Sequence, residues 1–260
     1  NALSPGTAGI IKWTPFATFS NVEIHYSTDG SGSTDATFGT PVAIAPACIV
    51  TIRASGVQGA ATWNIPTTGV SGNVRIRVRD AGAGNSDIYE ISANPLKLVG
   101  KIDVNIPEAG QVWYVGEITN AITWTATGPI TNVKIQYKTS AGGVYTVVKA
   151  NQAGFVAGSN SWTWNVGDTV TGVADERTEA AYIQVLDANF TTEMGADAGT
   201  VSVAPFSIRP KIIINTTNLN ANTKLIAFSN NANLVKWSTT GTKIVSVKVR
   251  YDLYNGAGLD

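Results

Sequence analysis

The chain has 260 residues, enough for two ordinary domains and part of a third. Hydrophobic residues make up 43% and charged residues 14%, against roughly 25% charged in an average soluble domain, so Thr, Ser, Asn and Gly must supply the polar surface. The 18 basic residues balance 18 acidic ones with no basic stripe, which argues against a nucleic-acid partner, and no apolar run reaches the ~20 residues of a membrane helix, so no membrane insertion is expected of this segment.

Read in order, the chain repeats itself. Trp13, Trp124 and Trp237 are 111 and 113 residues apart, and V-x-[IV]-x-Y falls at 22–26, 133–137 and 247–251. Trp63-Asn64-Ile65 matches Trp164-Asn165-Val166, and IRVRD ending at Asp80 matches IQVLD ending at Asp187. The run YEI at 89–91 reads as the counterpart of FSI at 206–208. A period near 110 residues is the size of one β-sandwich domain.

In the first copy Val22, Ile24 and Tyr26 alternate with Glu23 and His25, the period-two pattern of a half-buried strand. That phase predicts a solvent-facing His25. A Gly/Ser/Thr/Asp loop covers 27–40, one or two strands broken at Pro46 cover 42–53, and 61–65 is a strand ended by Pro66. Val74, Ile76 and Val78 alternate with Arg75, Arg77 and Arg79, and 88–92 is the last strand. The lone cysteine, Cys48, lies in an apolar strand-like run and reads as a small buried hydrophobe. The second copy predicts strands at 97–106, 111–115, 120–126, 132–138, 144–149, 160–166, 180–187 and 201–208. The third starts near Lys211 with KIIIN and reaches Trp237 and Tyr251 through an Asn-rich turn. No segment keeps a helical period over ten residues.

The expected fold is all-β: tandem immunoglobulin-like β-sandwich modules, the third incomplete. Residues 1–95 form a sandwich lacking its first strand, 96–209 a complete one, and 210–260 the front half of another. Asn94-Pro95 and Arg209-Pro210 mark stiff junctions. The unmatched strands have two expected sources: a longer polypeptide of which this chain is a window, or neighbouring copies that donate strands.

The second copy also carries P-x-x-G-x-x-W-x-x-G at Pro107, Gly110, Trp113 and Gly116, followed by ITWTATG, NVKIQY, WTWNV, YIQVLD and FSI. In these motifs it resembles the immunoglobulin-like repeat of the Ser-Thr-rich, lipid-anchored cell-wall family, also seen in large secreted prokaryotic surface proteins. The first and third copies lack the PxxGxxW lead. The resemblance implies an extracellular, wall- or surface-associated sandwich, and the family has no catalytic residues to carry over.

Each candidate site also has a plainer role. Trp13, Trp124 and Trp237 recur at one point of each module and are expected as core pins between the sheets. Trp113 and Trp162 would stack on sugar rings if exposed, and would add core or inter-module contacts if buried. Asp29 and Asp35 alternate with Ser31 and Ser33, a spacing that can wrap oxygens around Ca2+, although a solvated turn explains it equally and no bidentate Glu follows. Asp187, like Asp80, ends a strand before a loop, where it either contributes to calcium binding or caps the turn. The acids of 175–179 read as a solvated loop, and no nucleophile, phosphate-loop or zinc motif is present.

These features lead to the expectation of a non-enzymatic structural protein of the cell surface, in a stalk, filament or surface layer. Its partners are then other copies of itself or further modules of the same polypeptide. The alternative is a carbohydrate-binding or adhesive module facing cell-wall polysaccharide. No cofactor beyond Ca2+ is suggested.

Overall fold

The computed structural model describes residues 2–250 apart from 5, 19–20, 45–54, 83–86, 119, 167–176, 196–197, 216–235 and 242–243. Pro46, Cys48, Asp175 and Tyr251 lie outside the described residues. In chain order the strands are β1 (Ala2–Leu3), β2 (Ala8–Trp13), β3 (Val22–Ser27), β4 (Val42–Ala43), β5 (Gly59–Asn64), β6 (Ser71–Asp80), β7 (Tyr89–Ile91) and β8 (Leu96–Leu98). They continue with β9 (Lys101–Ile106), β10 (Val112–Tyr114), β11 (Ala121–Thr127), β12 (Asn132–Lys138), β13 (Thr146–Ala153), β14 (Gly158–Thr163), β15 (Thr178–Asp187), β16 (Phe206–Arg209), β17 (Lys211–Ile214) and β18 (Trp237–Thr240). The chain is all-β, with one short helical turn at Thr191–Met194 and two 3-10 turns among the described residues.

Residues 101–209 show the architecture in full. A three-stranded sheet, β14-β11-β9, faces a five-stranded one, β10-β16-β15-β12-β13. Alternation drives the layering: Ile122, Trp124 and Ala126 of β11 are buried while the residues between them are half-buried. Val133, Ile135 and Tyr137 of β12 and Ile183 and Val185 of β15 meet them from the other sheet, forming one core. Aromatic rings pin it, with Trp113 4.8 Å from Phe206, Tyr137 5.1 Å from Trp164 and Trp124 4.7 Å from Phe155. The edge strand β9 closes the side by burying Ile102 and Val104. Each such side chain contributes roughly 1.5–3 kcal/mol.

The same pairings recur in residues 2–98. Strand β8 runs antiparallel to β6 (Ser71↔Leu98, Val74↔Leu96) and parallel to β1, as β16 runs antiparallel to β15 (Thr178↔Ile208, Ala181↔Phe206) and parallel to β10. Both ladders slip at the same point, and a hydroxyl fills each slip. Ser71 Oγ accepts from Asn73 N–H at 3.1 Å and donates to the Thr28 carbonyl at 2.9 Å. Thr178 Oγ1 accepts from Ala180 N–H at 3.0 Å and donates to the Thr139 carbonyl at 2.8 Å. Ser92 and Ser202 likewise match: each backbone N–H donates to the carbonyl of Ile76 or Ile183, and each hydroxyl accepts the N–H of that same residue.

These registers correct two expectations. The predicted strand 97–106 is two strands in different sheets, so the change of unit falls at Val99 and Gly100 rather than at Asn94-Pro95. Gly100 is needed there, because a Cβ on it would lie 2.3 Å from Ile130. The counterpart of FSI is Leu96–Leu98, while Tyr89–Ile91 corresponds to the isolated bridge Gln184↔Val201, since Arg77↔Ile91 matches it. Strand β1 supplies the counterpart of β10. The strand with no counterpart is β9, and β2 pairs with β5 alone among the described residues.

The third segment repeats the β9–β11 ladder and nothing more among the described residues. Ile214↔Trp237, Ile213↔Ser238, Ile212↔Thr239 and Lys211↔Thr240 reproduce Val104↔Trp124 through Lys101↔Thr127. With no facing sheet among the described residues, Ile212, Ile213 and Ile214 are exposed, and Trp237 is 43% exposed. Trp237 is therefore not buried among the described residues. Trp124 is fully buried, and Trp13 is half-buried at the margin of its core.

Trp124→Ala should lower unfolding free energy by about 3–5 kcal/mol in denaturant titrations, whereas Trp237→Ala should stay within about 0.5 kcal/mol. Equal losses would contradict the difference in closure.

Candidate functional site

A concavity lies where the first unit lacks a counterpart of β9 among the described residues. It is an open groove of about 950 Å³ along the free edge of β2. One wall is Ile11 and Trp13; the other is Val78, Ile88 and Leu96. Register equates Ile11, Trp13, Val78 and Leu96 with Ile122, Trp124, Val185 and Phe206. The latter four are 0% exposed, while the groove residues are only partly buried. The difference is β9, whose Ile102 and Val104 fill the corresponding cleft of the second unit.

The sugar-stacking pair is not formed. Trp113 is 6% exposed and packs edge-on against Trp164, because β10 lies parallel to β16 and turns the indole into the core. Trp162 is half-buried against that same core.

The calcium candidates are tied to hydrogen-bond donors, which leaves no shell of free oxygens for a cation. Ser27 Oγ and Thr40 N–H donate to Asp29 Oδ1 at 2.6 and 2.8 Å, and Thr40 Oγ1 donates to Oδ2 at 2.8 Å. Those bonds, the Ser27 hydroxyl foremost, hold the Asp29 carboxyl at about 2. Asp35 pairs with the Arg77 guanidinium, and its N–H donates to Tyr89 Oη at 3.1 Å. Asp187 is buried and accepts from Asn189 N–H at 2.9 Å, as Asp80 accepts from Gly82 N–H at 2.9 Å, so both close their strands with the same side-chain turn. Burial raises the Asp187 pKa. Among the described residues no three His, Cys, Asp or Glu gather as a metal site.

His25 is not solvent-facing. Its side chain is 14% exposed, and burial, then Arg77 and Arg79, push its pKa down. The outward face of this sheet is covered by its own loop, where Phe38 is fully buried and stacks on Arg77 at 4.6 Å. His25 and Arg77 face each other across β3 and β6, and register equates them with Gln136 and Gln184 of the second unit, which are hydrogen-bonded at 2.6 Å. Glu179 lies in β15, not in a loop. Arg209 and Ser207 hold its carboxyl at about 2, opposite to what a general acid needs. The sequence signalled the groove only as a missing strand; its apolar walls read as ordinary core positions.

No family model and no curated protein matches the chain. Among solved structures, a chain described under "Chaperone-tip adhesin complex is vital for synergistic activation of CFA/I fimbriae biogenesis" matches over 78% of this chain and 95% of its own, at 11% identity and a TM-score of 0.24. Overlap at that level does not establish a shared fold. No helix among the described residues is long and apolar enough to cross a membrane.

Asp29 has a depressed folded pKa, so the stability it contributes is complete above the ordinary carboxylate range near pH ~4 and is lost as pH falls through about 2. Asp29→Asn should melt lower than the parent at pH 7, and thermal scans should converge as the pH approaches 2. A gap that widens in acid would contradict the assignment.

Proposed function

We propose that the chain is a non-catalytic structural protein of the cell surface, a rod of tandem immunoglobulin-like sandwiches in a stalk, filament or surface layer. The observation that carries this reading is the joint. Strand β8 ends at Leu98 and β9 begins at Lys101; β16 ends at Arg209 and β17 begins at Lys211. Each unit thus hands its last strand to the next with almost no linker.

Contacts across the joints support stiffness. Lys97 pairs with Glu193 across the first, and Lys211 pairs with Glu117 at 3.0 Å across the second. Lys211 also lies 5.6 Å over the Tyr114 ring. Exposed pairs of this kind add little stability, but several together with a short joint restrict bending. The low charge and the Thr- and Asn-rich surface suit an extracellular setting. A carbohydrate-binding role has less support, since Trp113 and Trp162 make no exposed platform.

Small-angle scattering of the 260-residue chain should give the pair-distance profile of a rod. Glu117→Gln with Glu193→Gln should broaden that profile while leaving the melting temperature nearly unchanged. Antibodies against the chain should label intact producing cells. A compact or freely bending profile, or labelling only after lysis, would overturn the proposal.

A further inference from the structure

We propose that residues 28–40 form a strap over the outer face of the first unit, latched at neutral pH and opened in mild acid, with protonation of His25 beneath it as the trigger. The inference goes beyond the rod reading and does not rest on it.

The strap is clipped at its base and pinned at its far end. At the base, Asp29 accepts from the Ser27 hydroxyl at 2.6 Å and from the Thr40 N–H and hydroxyl at 2.8 Å each. Gly39 turns the chain there at φ +88°, and a Cβ on it would lie 2.3 Å from Asp29 Oδ1. Between the two ends the strap folds on itself, since the Ser31 and Gly32 N–H groups donate to the Thr37 carbonyl at 2.8 and 3.2 Å. The far end carries Asp35 and Phe38. Asp35 pairs with Arg77, and its N–H donates to Tyr89 Oη at 3.1 Å. Phe38 stacks on the Arg77 guanidinium at 4.6 Å and is 0% exposed. Ile91, opposite Arg77 across β6 and β7, is 2% exposed on that same face. Neither Phe38 nor Ile91 belongs to the main core of the unit, so the strap covers a second, smaller apolar layer.

The ground under the strap is short of free negative charge. His25 lies directly opposite Arg77 across β3 and β6, with Arg75 and Arg79 on the diagonals. Arg75 is spent on the carbonyls of Ser92 and Ala93 at 2.9 and 2.8 Å. On β3, Glu23 stands 3.9 Å from His25 Nε2 but is held by Arg79 at 2.7 Å. From the strap, Asp35 is taken by Arg77. On the β4 side the residue opposite His25 is the uncharged Ala43, and β7 brings the Tyr89 phenol, opposite Arg79. His25 Nδ1 and Arg77 Nε are buried with no hydrogen-bond partner among the described residues.

A neutral imidazole fits this setting and an imidazolium does not. Protonation sets a second buried cation against Arg77 with no uncommitted acceptor, and like charges directly opposite destabilise a strand pair. Burial foremost, then Arg77 and Arg79, holds the His25 pKa down against the opposing pull of Glu23. With the strap open, the imidazole returns toward its ordinary value of 6.5, so acid favours the open form. Closure is therefore complete above 6.5 and weakens as pH falls from there through the lower value of the closed form. The β3–β6 ladder is backed by the main core, so the strap is the part that yields. The Asp29 carboxyl at the base, held at about 2, keeps its charge throughout that window. The far end thus swings while the base stays clipped, and Phe38 and Ile91 meet water. The second unit does not share the device. Its matching pair is Gln136 and Gln184, hydrogen-bonded at 2.6 Å, and neither titrates.

Hydroxyl-radical footprinting of the 260-residue chain reads the strap through Phe38. Exposed Phe16 serves as one reference and Trp63, buried in the core of the same unit, as the other. Between about pH 7.5 and about pH 5, Phe38 oxidation should rise severalfold relative to Phe16 while Trp63 stays protected. His25→Gln, which installs the residue of the second unit, should keep Phe38 protected at both values. His25 is the only histidine, so its single imidazole resonance gives an independent measure. Its NMR midpoint should lie below 6.5 and coincide with the exposure of Phe38.

Four results overturn the proposal: Phe38 equally protected in acid, an imidazole midpoint at or above 6.5, acid exposure that persists in His25→Gln, or Trp63 exposed in step with Phe38. The last would mean that the whole unit opens rather than the strap. Should His25→Gln fail to fold, the coincidence of the imidazole midpoint with Phe38 exposure in the parent decides alone.

Discussion

A β-sheet with one apolar face must have that face covered, and each part of this chain is shaped by how far the condition is met. One tryptophan, repeated three times, records it. Trp124, with β9 beside it and a full sheet opposite, is fully buried. Trp13, with the sheet opposite but no strand on its outer side among the described residues, is half-buried. Trp237, with the strand beside it but no sheet opposite among the described residues, is 43% exposed. Neighbouring sequence is similar in all three, so the difference lies in partners rather than in propensity.

The backbone is held to the scheme by small polar side chains. Where the β6 and β15 ladders slip, Ser71 and Thr178 satisfy the freed amide two residues on and bond to the preceding loop. Where those strands end, Asp80 and Asp187 take up the next free amide. These devices answer the requirement that buried backbone groups find partners, and they explain why so little charge suffices. The first unit departs in one place. The opposed pair that is Gln136 and Gln184 in the second becomes His25 and Arg77, and Phe38 with Asp35 accommodates the cation.

Period-two alternation made the strands legible, because the core face of β11, β12 or β15 can be read from every second residue. The tryptophan and V-x-[IV]-x-Y landmarks were legible for the same reason. What alternation does not carry is the far side of each face. It assigned His25 outward and missed that a loop folds back over it. It merged β8 with β9, since KLVGKIDVNI alternates without a break and only the crowding of Gly100 against Ile130 reveals the change of sheet. It matched YEI to FSI by composition, where the hydrogen bonds of Ser92 and Ser202 place YEI one strand earlier. The candidate carboxylates were visible as residues, but donors or acceptors around them depend on contacts such as Ser27 and Thr40 with Asp29 that sequence distance conceals.

The groove follows from the same limit. Its walls are ordinary core residues, and nothing in their identity distinguishes them from their buried counterparts. An exposed edge is a hazard that proteins commonly blunt with charge, proline or a bulge. Along β2 the outward positions are Ile10 and Lys12, followed closely by Pro15 and an almost fully exposed Phe16. One lysine and one proline against two large apolar side chains is weak protection. An edge built that way is better suited to being covered than to facing water.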